Sequence, residues 1–268
     1  MDNQVLIAFG LTLLAGLSTG IGSAIAFLSK QTNKVLLSVS LGLSAGVMIY
    51  ISFVELLAIA FTDLASQFGE TVGQVYTVLS FFAGILFIML IDFLVPEKEN
   101  PHEPLGVEDA KVSKKPLEHA DLKRVGVITA LVLAIHNFPE GMVTFLSGLK
   151  SIGVAIPIAI AVAIHNIPEG ISVSIPIYYA TGDKKKAFWT SFASGLAEPI
   201  GALVGYLILA PILNDTLMAC LNAVIAGIMV YISLDELLPT AAKYGKHHHS
   251  ILGVVLGMAL MAFSLIIL

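Results

Sequence analysis

The chain has 268 residues, of which 57% are hydrophobic and 12% are charged, and its mean hydropathy is +0.91. A water-soluble domain carries roughly 25% charged residues, so the composition excludes a soluble globule and indicates that a lipid bilayer surrounds most of the chain. The net charge of -5 gives no reason to expect a nucleic-acid partner, and the single cysteine, Cys220, excludes an intrachain disulfide framework.

Eight apolar stretches are each long enough to cross a bilayer as a helix, which takes about 20 residues. They are roughly 4–28, 35–61, 74–95, 124–148, 153–178, 187–211, 216–239 and 250–268. The first is interpreted as a retained span, because the residues before it lack the basic region of a cleaved signal peptide. The long polar segment 96–123 is predicted to be a flexible loop. We therefore expect one all-α transmembrane domain over residues 1–268.

Lysine and arginine residues are unevenly distributed between the two sides of this arrangement. Thirteen fall in the connections after the first, third, fifth and seventh spans, and Lys150 alone falls on the other side. Basic residues favour the cytoplasmic side of a membrane. The distribution therefore predicts a cytoplasmic 96–123 loop and places both termini outside the cytoplasm.

Two sequence patterns occur twice. AIHNFPEG at 134–141 recurs as AIHNIPEG at 163–170, and AGVMIYISFVELL at 45–57 recurs as AGIMVYISLDELL at 226–238. An odd number of crossings separates the members of each pair, so they run in opposite directions through the membrane. Inverted repeats are common in secondary transporters, because they give outward-open and inward-open states similar energies. An ancient duplication without functional consequence is the alternative.

The first repeat places ligand-type side chains near the membrane centre. His136 and Glu140 are about one turn apart and share a helix face, with Asn137 on the same arc. Pro139 frees a backbone carbonyl and kinks the helix. Irregular backbone at membrane depth is tolerated where it faces protein or water, so this segment is expected to line a polar site.

Span five repeats the arrangement with His165, Asn166, Pro168 and Glu169, and Glu198 lies near the centre of span six. A carboxylate at the bilayer centre costs at least ~2.5 kcal/mol, and no lysine or arginine lies in the interior of a span. Protons or metal cations must therefore compensate. Imidazole with carboxylate suits zinc and neighbouring first-row metals. Three carboxylates permit one divalent metal plus a proton, or two bridged metals.

Spans two and seven carry a second set of candidates. Met48 and Glu55 share a helix face, as do Met229 and Glu236. Glu55 lies towards the outside and Glu236 towards the cytoplasm, where a metal would enter and leave. Interfacial solvation of two charges is the alternative for the carboxylates, and packing is the simpler interpretation of the methionines.

The motifs HNFPEG, HNIPEG, SGLAEP and AGIMVYISLDELLP, spread over four spans, make the whole chain resemble the ZIP (Zrt/Irt-like) family of metal transporters. The resemblance implies eight helices, with helices 1–3 related by inversion to helices 6–8 around helices 4 and 5. It implies zinc uptake across a bacterial inner membrane, with iron(II), manganese, cobalt and cadmium as further cargo and no other cofactor. The ligands that it implies are His136, Asn137, Glu140, His165, Asn166, Glu169 and Glu198, with Met48 as an accessory position.

Two residues depart from the pattern of that family. Asn166 stands where many members have an acidic residue, which weakens the expectation of a permanently occupied second metal site. Ala58 stands where members often have proline, so the outer end of span two is expected to be straighter.

An intramembrane zinc metalloenzyme is the main alternative function, because two histidines and a glutamate form a hydrolytic zinc set. The motif is not HExxH, and no nearby carboxylate is free to act as general base, so enzymatic activity is not expected. A metal-gated channel shares every feature described above. The expected partners are divalent metal ions and the lipid bilayer, and a homodimer is one of the assemblies that the sequence leaves open.

Overall fold

The computed structural model of the chain describes residues 3–28, 34–94, 119–245 and 247–267. Across these ranges the secondary structure is helical, with no strand, as the hydropathy pattern predicts. The predicted 96–123 loop lies outside the described residues as far as 118. The helix that follows this loop begins at His119, earlier than the predicted start of span four at 124.

The helical segments of the described ranges join into eight helices. α1 is Asn3–Leu28, α2 comprises Lys34–Ile51, Ser52–Leu56 and Leu57–Phe68, α3 is Glu70–Leu94, and α4 is His119–Lys150. α5 is Ile152–Thr181, α6 comprises Lys184–Gly195, Ala197–Val204, Gly205–Leu209 and Ala210–Ile212, α7 comprises Asp215–Ile232, Ser233–Leu237 and Leu238–Tyr244, and α8 is His247–Ile267.

Seven of these helices are long and apolar enough to cross a membrane, judged on the residues that the structure describes. They are α1–α3 and α5–α8. The predicted fourth span falls inside the 32-residue α4, whose side chains from 119 to 133 are not among the described ones. The described part of the chain is therefore all-helical, with seven or eight candidate membrane spans.

Glycines allow neighbouring helices to pack with their backbones in direct contact. A Cβ added to Gly22 would overlap the carbonyl oxygen of Ile167, and one added to Gly170 would overlap that of Thr19, so α1 and α5 touch along their backbones. Similar contacts join α4 to α6 at Gly141 and Gly201, α2 to α8 at Gly42 and Gly46, and α3 to α7 at Gly84 and Gly227. Small residues allow this approach in lipid.

The contacts divide the eight helices into two groups. α1, α4, α5 and α6 pack on one another, and α2, α3, α7 and α8 form the second group. Contacts of α2 with α5 and of α4 with α7 connect the groups. The predicted ligands on α4, α5 and α6 thus belong to one packed group of helices.

Polar contacts between helix ends show which ends share a face of the molecule. Lys150 at the end of α4 forms ion pairs with Asp63 of α2 at 3.3 Å and with Asp215 at the start of α7 at 3.2 Å. Gln4 of α1 donates hydrogen bonds to two carbonyl oxygens near the end of α4, at 3.1 and 3.0 Å. Burial lowers the pKa of Lys150, but the two carboxylates outweigh this effect and raise it, so the ammonium stays charged. These helix ends lie together, as the predicted alternation of spans requires.

Candidate metal site

Six buried polar side chains lie on the facing sides of α4, α5 and α6. Each of them is at most 2% exposed to solvent, and they are Asn137, Glu140, His165, Asn166, Glu169 and Glu198. All six are residues that the sequence predicts as ligands. The seventh predicted ligand, His136, has its backbone in α4, while its side chain lies outside the described residues.

Three proline residues interrupt the hydrogen bonding of the helices at this depth. Pro139 lies within α4 and Pro168 within α5. α6 is interrupted at Leu196, and its next segment carries Glu198 in the first turn, followed by Pro199. Proline has no N–H group and cannot continue the ladder. The backbone at the cluster therefore has polar groups to offer, which membrane-embedded protein tolerates in a protein-lined site.

His165 links α5 to Glu140 of α4. Its Nε2 lies 3.1 Å from Glu140 Oε2, and its Nδ1 lies 3.1 Å from the carbonyl oxygen of Ala161. A carbonyl only accepts, so Nδ1 carries the proton and the neutral ring has its lone pair on Nε2. The lone pair then faces a carboxylate oxygen. Two acceptors at this distance require a proton or a metal ion between them.

Asn166 links α5 to both α1 and α6. Its Nδ2 donates to Glu198 Oε1 and, at 2.9 Å, to the carbonyl oxygen of Ala15. Within the described part of the chain, Asn166 Oδ1 and Glu198 Oε2 are buried and have no hydrogen-bond partner, and the same holds for Glu140 Oε1. An unpaired buried acceptor is costly. Carboxylate and amide oxygens are also groups that bind divalent cations.

The carboxylates of the cluster act on one another electrostatically. Glu169 interacts with the charges of His165, Glu140 and Glu236, and Glu198 interacts with those of Glu140 and Glu169. His165, the one described imidazole of the cluster, cannot neutralise three carboxylates, so these side chains favour a cation. Among the described side chains, no three histidine, cysteine or carboxylate groups lie close enough to hold one ion together. The two asparagines and His136 are outside that set of groups.

Asn137 is oriented by the backbone of α6. Its Nδ2 lies 3.5 Å from the carbonyl oxygen of Ser194. Asn166 makes the equivalent bond to Ala15 of α1. Each asparagine of the two repeats is thus held by a neighbouring helix, an arrangement that sequence spacing alone does not predict.

The accessory residues of α2 and α7 lie at two matching irregularities. Ser52–Leu56, which contains Glu55, and Ser233–Leu237, which contains Glu236, are π-helical turns. π-helical turns inside α-helices are frequent at functional sites. Glu55 and Glu236 are partly exposed, and Glu236 acts electrostatically on Glu169. Met48 is fully buried in the main apolar cluster.

The π-helical turns begin at equivalent serines of the second repeat. Ser52 Oγ donates to the carbonyl oxygen of Met48 at 2.7 Å, and Ser233 Oγ donates to that of Met229 at 2.7 Å. A hydroxyl that bonds back to this carbonyl competes with the helical hydrogen bond. Both serines belong to the YIS sequence that the two segments of the repeat share, and the paired turns were not predicted from it.

α1 and α6 carry a third internal repeat, which is not among the repeats identified from the sequence. GLSTGIG at 16–22 in α1 matches GLAEPIG at 195–201 in α6. Gly16 and Gly195 face each other so closely that a Cβ on either would overlap the carbonyl oxygen of the other. Gly22 packs on the carbonyl of Ile167, and Gly201 packs on that of Phe138. α1 and α6 therefore hold the two HNxPEG segments by the same kind of contact.

Comparisons with known proteins agree with this geometry. The family model described as ZIP zinc transporter matches residues 95–265. A protein of Oceanobacillus iheyensis named zinc transporter ZupT is 58% identical over 268 residues, which cover 100% of both chains. Proteins with the same name from Clostridium perfringens and Streptococcus mutans are 57% and 56% identical, over 99% and 100% of this chain and 97% and 99% of their own lengths.

The chain belongs to the ZIP family. The resemblance that the motifs indicate is thereby confirmed over the whole length of the chain. In this ZIP protein, the duplicated HNxPEG segments supply five of the six side chains of the buried cluster described above, and α6 supplies the sixth, Glu198.

Asn166→Asp tests whether a cation binds at Asn166 and Glu198. The substitution replaces the donor to Glu198 by a carboxylate, so two carboxylates meet without a proton or cation. We expect a lower melting temperature without metal and a larger zinc-induced increase than in the parent, since tenfold tighter binding adds about 1.4 kcal/mol. Melting in detergent with and without zinc measures both effects.

Asn166→Ala is the matched control for this substitution, because it removes the same hydrogen bond without adding a charge. It is expected to lower stability without enlarging the effect of zinc. An equal response of the Asp and Ala variants to zinc would contradict a cation at this position.

Proposed function

We propose that this protein carries zinc across a bacterial inner membrane into the cytoplasm, through a site formed by His136, Asn137, Glu140, His165, Asn166, Glu169 and Glu198. The observation that carries the proposal is the contact between His165 Nε2 and Glu140 Oε2 at 3.1 Å, buried between two apolar helices. The names of the relatives, zinc transporter ZupT, support the choice of zinc.

The hydrogen bond to Ala161 prepares His165 for a metal ion. With its proton fixed on Nδ1, the ring offers Nε2 as a ligand without any change of tautomer. Zinc replaces the proton that otherwise lies between Nε2 and the carboxylate, because both groups must be deprotonated to bind metal. Metal binding and proton release are therefore coupled at this pair.

The proposed site can balance its charge with more than one set of cations. Glu198 Oε2 and Asn166 Oδ1 are buried acceptors that a cation can bind. One zinc with a retained proton and two zinc ions with bridging carboxylates both fit the three glutamates. The same oxygen and nitrogen ligands suit iron(II), manganese, cobalt and cadmium, which we propose as further cargo.

Alternating access through an inverted repeat fits the arrangement of eight spans. We propose that α1–α3 are related by inversion to α6–α8 around α4 and α5. Three pairs of equivalent features support this relation, namely the glycine contacts of α1 and α6, the bonds of Asn137 and Asn166, and the π-helical turns of α2 and α7. Inverted halves can exchange conformations about a fixed central site.

Glu55 and Glu236 are proposed to serve the two access routes. Both side chains are partly exposed, on α2 and α7 respectively. Glu236 acts electrostatically on Glu169, which is part of the central cluster. The proposed route along α7 therefore reaches the edge of that cluster. With the cytoplasmic orientation of the basic residues, Glu55 attracts cations on the outer side and Glu236 receives them on the inner side. Met48 remains an accessory candidate next to the α2 route.

Glu140→Gln and Glu169→Gln test the central site directly. Each keeps the shape of the side chain and removes one charge, which leaves its partners in the buried cluster uncompensated. We expect zinc uptake by proteoliposomes to fall at least tenfold in each variant, since a charged contact contributes about 1.5–3 kcal/mol. Radioactive zinc, with only this protein in the membrane, gives the measurement.

Glu70→Gln is the matched control, because Glu70 lies exposed at the start of α3 and bonds only within that helix, to Gln74, in the contacts described. It should transport at the parental rate. Parental rates in both central variants would show that the metal does not pass through α4 and α5, and cleavage of a substrate without zinc flux would favour a metalloenzyme.

The orientation has its own test. Cysteines introduced at positions 102 and 111, after Cys220→Ser, should react with an impermeant reagent only in inside-out vesicles, since the basic loop is expected to be cytoplasmic. A cysteine in place of Ser151, between α4 and α5, is the opposite control and should react in intact cells. Labelling of the loop in intact cells would contradict the proposed orientation and, with it, the proposed direction of transport.

A further inference from the structure

Thr19 occupies the position in α1 that Glu198 occupies in α6. Aligning GLSTGIG with GLAEPIG pairs Gly16 with Gly195 and Thr19 with Glu198. The contacts follow this alignment. A Cβ on Gly16 would lie 3.4 Å from Glu198 Cβ, and a Cβ on Gly195 would lie 2.9 Å from Thr19 Cβ. The two side chains thus project from equivalent points of two facing helices.

The hydrogen bonds of the asparagines extend the correspondence into the metal site. Asn166 donates to the carbonyl of Ala15, the residue before Gly16, and Asn137 donates to that of Ser194, the residue before Gly195. Asn166 also donates to Glu198. In this alignment, Thr19 is the residue of α1 that corresponds to Glu198, so the correspondence assigns it to the Asn137 side of the site.

The Thr19 hydroxyl is buried without a partner. The residue is 0% exposed, and its Oγ1 has no hydrogen-bond partner within the described residues. Thr12, a buried threonine of the same helix, donates to the carbonyl of Ala8 at 3.0 Å, which is the usual solution. Leaving a buried hydroxyl unpaired costs free energy. The cost indicates that this hydroxyl has a partner during function.

We propose that Thr19 is a further cation-binding residue of the transport site, and that its hydroxyl contacts the transported divalent cation, directly or through one water, on the Asn137 side. This inference rests on the proposed function. The hydroxyl supplies an oxygen where Glu198 supplies a charged one, so the Asn137 half of the site holds the cation less tightly than the Asn166 half. That difference gives the cation a position from which it is readily released.

Zinc binding to the purified chain, measured by calorimetry, tests the role of Thr19. Thr19→Val keeps the shape and removes the hydroxyl, and it should weaken zinc binding about three- to tenfold, the range of one lost neutral contact. Thr19→Ser should bind zinc nearly as the parent does. Thr19→Asp adds the missing carboxylate and should bind zinc more tightly or bind one more ion per chain.

Thr12→Val is the matched control, since the hydroxyl of Thr12 is already satisfied within α1. It should leave zinc affinity unchanged. Unchanged affinity in Thr19→Val, or an equal loss in both valine variants, would overturn the proposal. If Thr19→Val does not fold, Thr19→Asp decides, and zinc binding of parental affinity and parental stoichiometry contradicts the role of Thr19.

The parental chain, measured in the same experiment, separates this inference from the function on which it rests. Parental zinc binding and uptake with no effect of the Thr19 variants would refute the role of Thr19 alone. A parental chain that neither binds nor carries zinc would refute both.

Discussion

The carboxylates of Glu140, Glu169 and Glu198 lie buried among apolar helices, and their negative charge must be neutralised there. Each of the other features of the site serves that requirement. The cluster contains one described imidazole and no lysine or arginine, so in the proposed mechanism mobile cations supply the balance. Protons and divalent metals are the cations that fit, and their competition for the same lone pairs is the physical basis of transport in this account.

The helices are arranged so that this charged cluster can exist without opening to lipid. Glycines bring α1 against α5 and α4 against α6 until backbones touch. Such contacts exclude lipid from the site, and they let the backbone of α1 and α6 hold the asparagines of α4 and α5. The same contacts that make the packing tight therefore fix the positions of the proposed ligands. A larger residue at Gly141 would push against the backbone of Glu198 and separate the proposed ligands Glu140 and Glu198.

The sequence predicted the helical class, the approximate spans and the family, because hydropathy and the HNxPEG motifs are signals carried by single segments. It predicted that Glu140 and His165 belong to one site, since helical spacing and burial in the membrane leave few alternatives. It could not predict that Asn137 and Asn166 are oriented by Ser194 and Ala15, because those bonds depend on how two helices are packed. The GLSTGIG and GLAEPIG match was present in the sequence, and Thr19 escaped notice because its residue type differs from that of Glu198.

The most direct test of the central claim is the number of protons that the purified protein releases when zinc is added in weakly buffered detergent solution near pH 7. Zinc that replaces a proton between His165 and Glu140 must expel it into the solution. We expect about one proton or more released per zinc bound, and fewer in Glu140→Gln. Zinc binding of the parental strength without proton release would contradict metal–proton exchange at this pair.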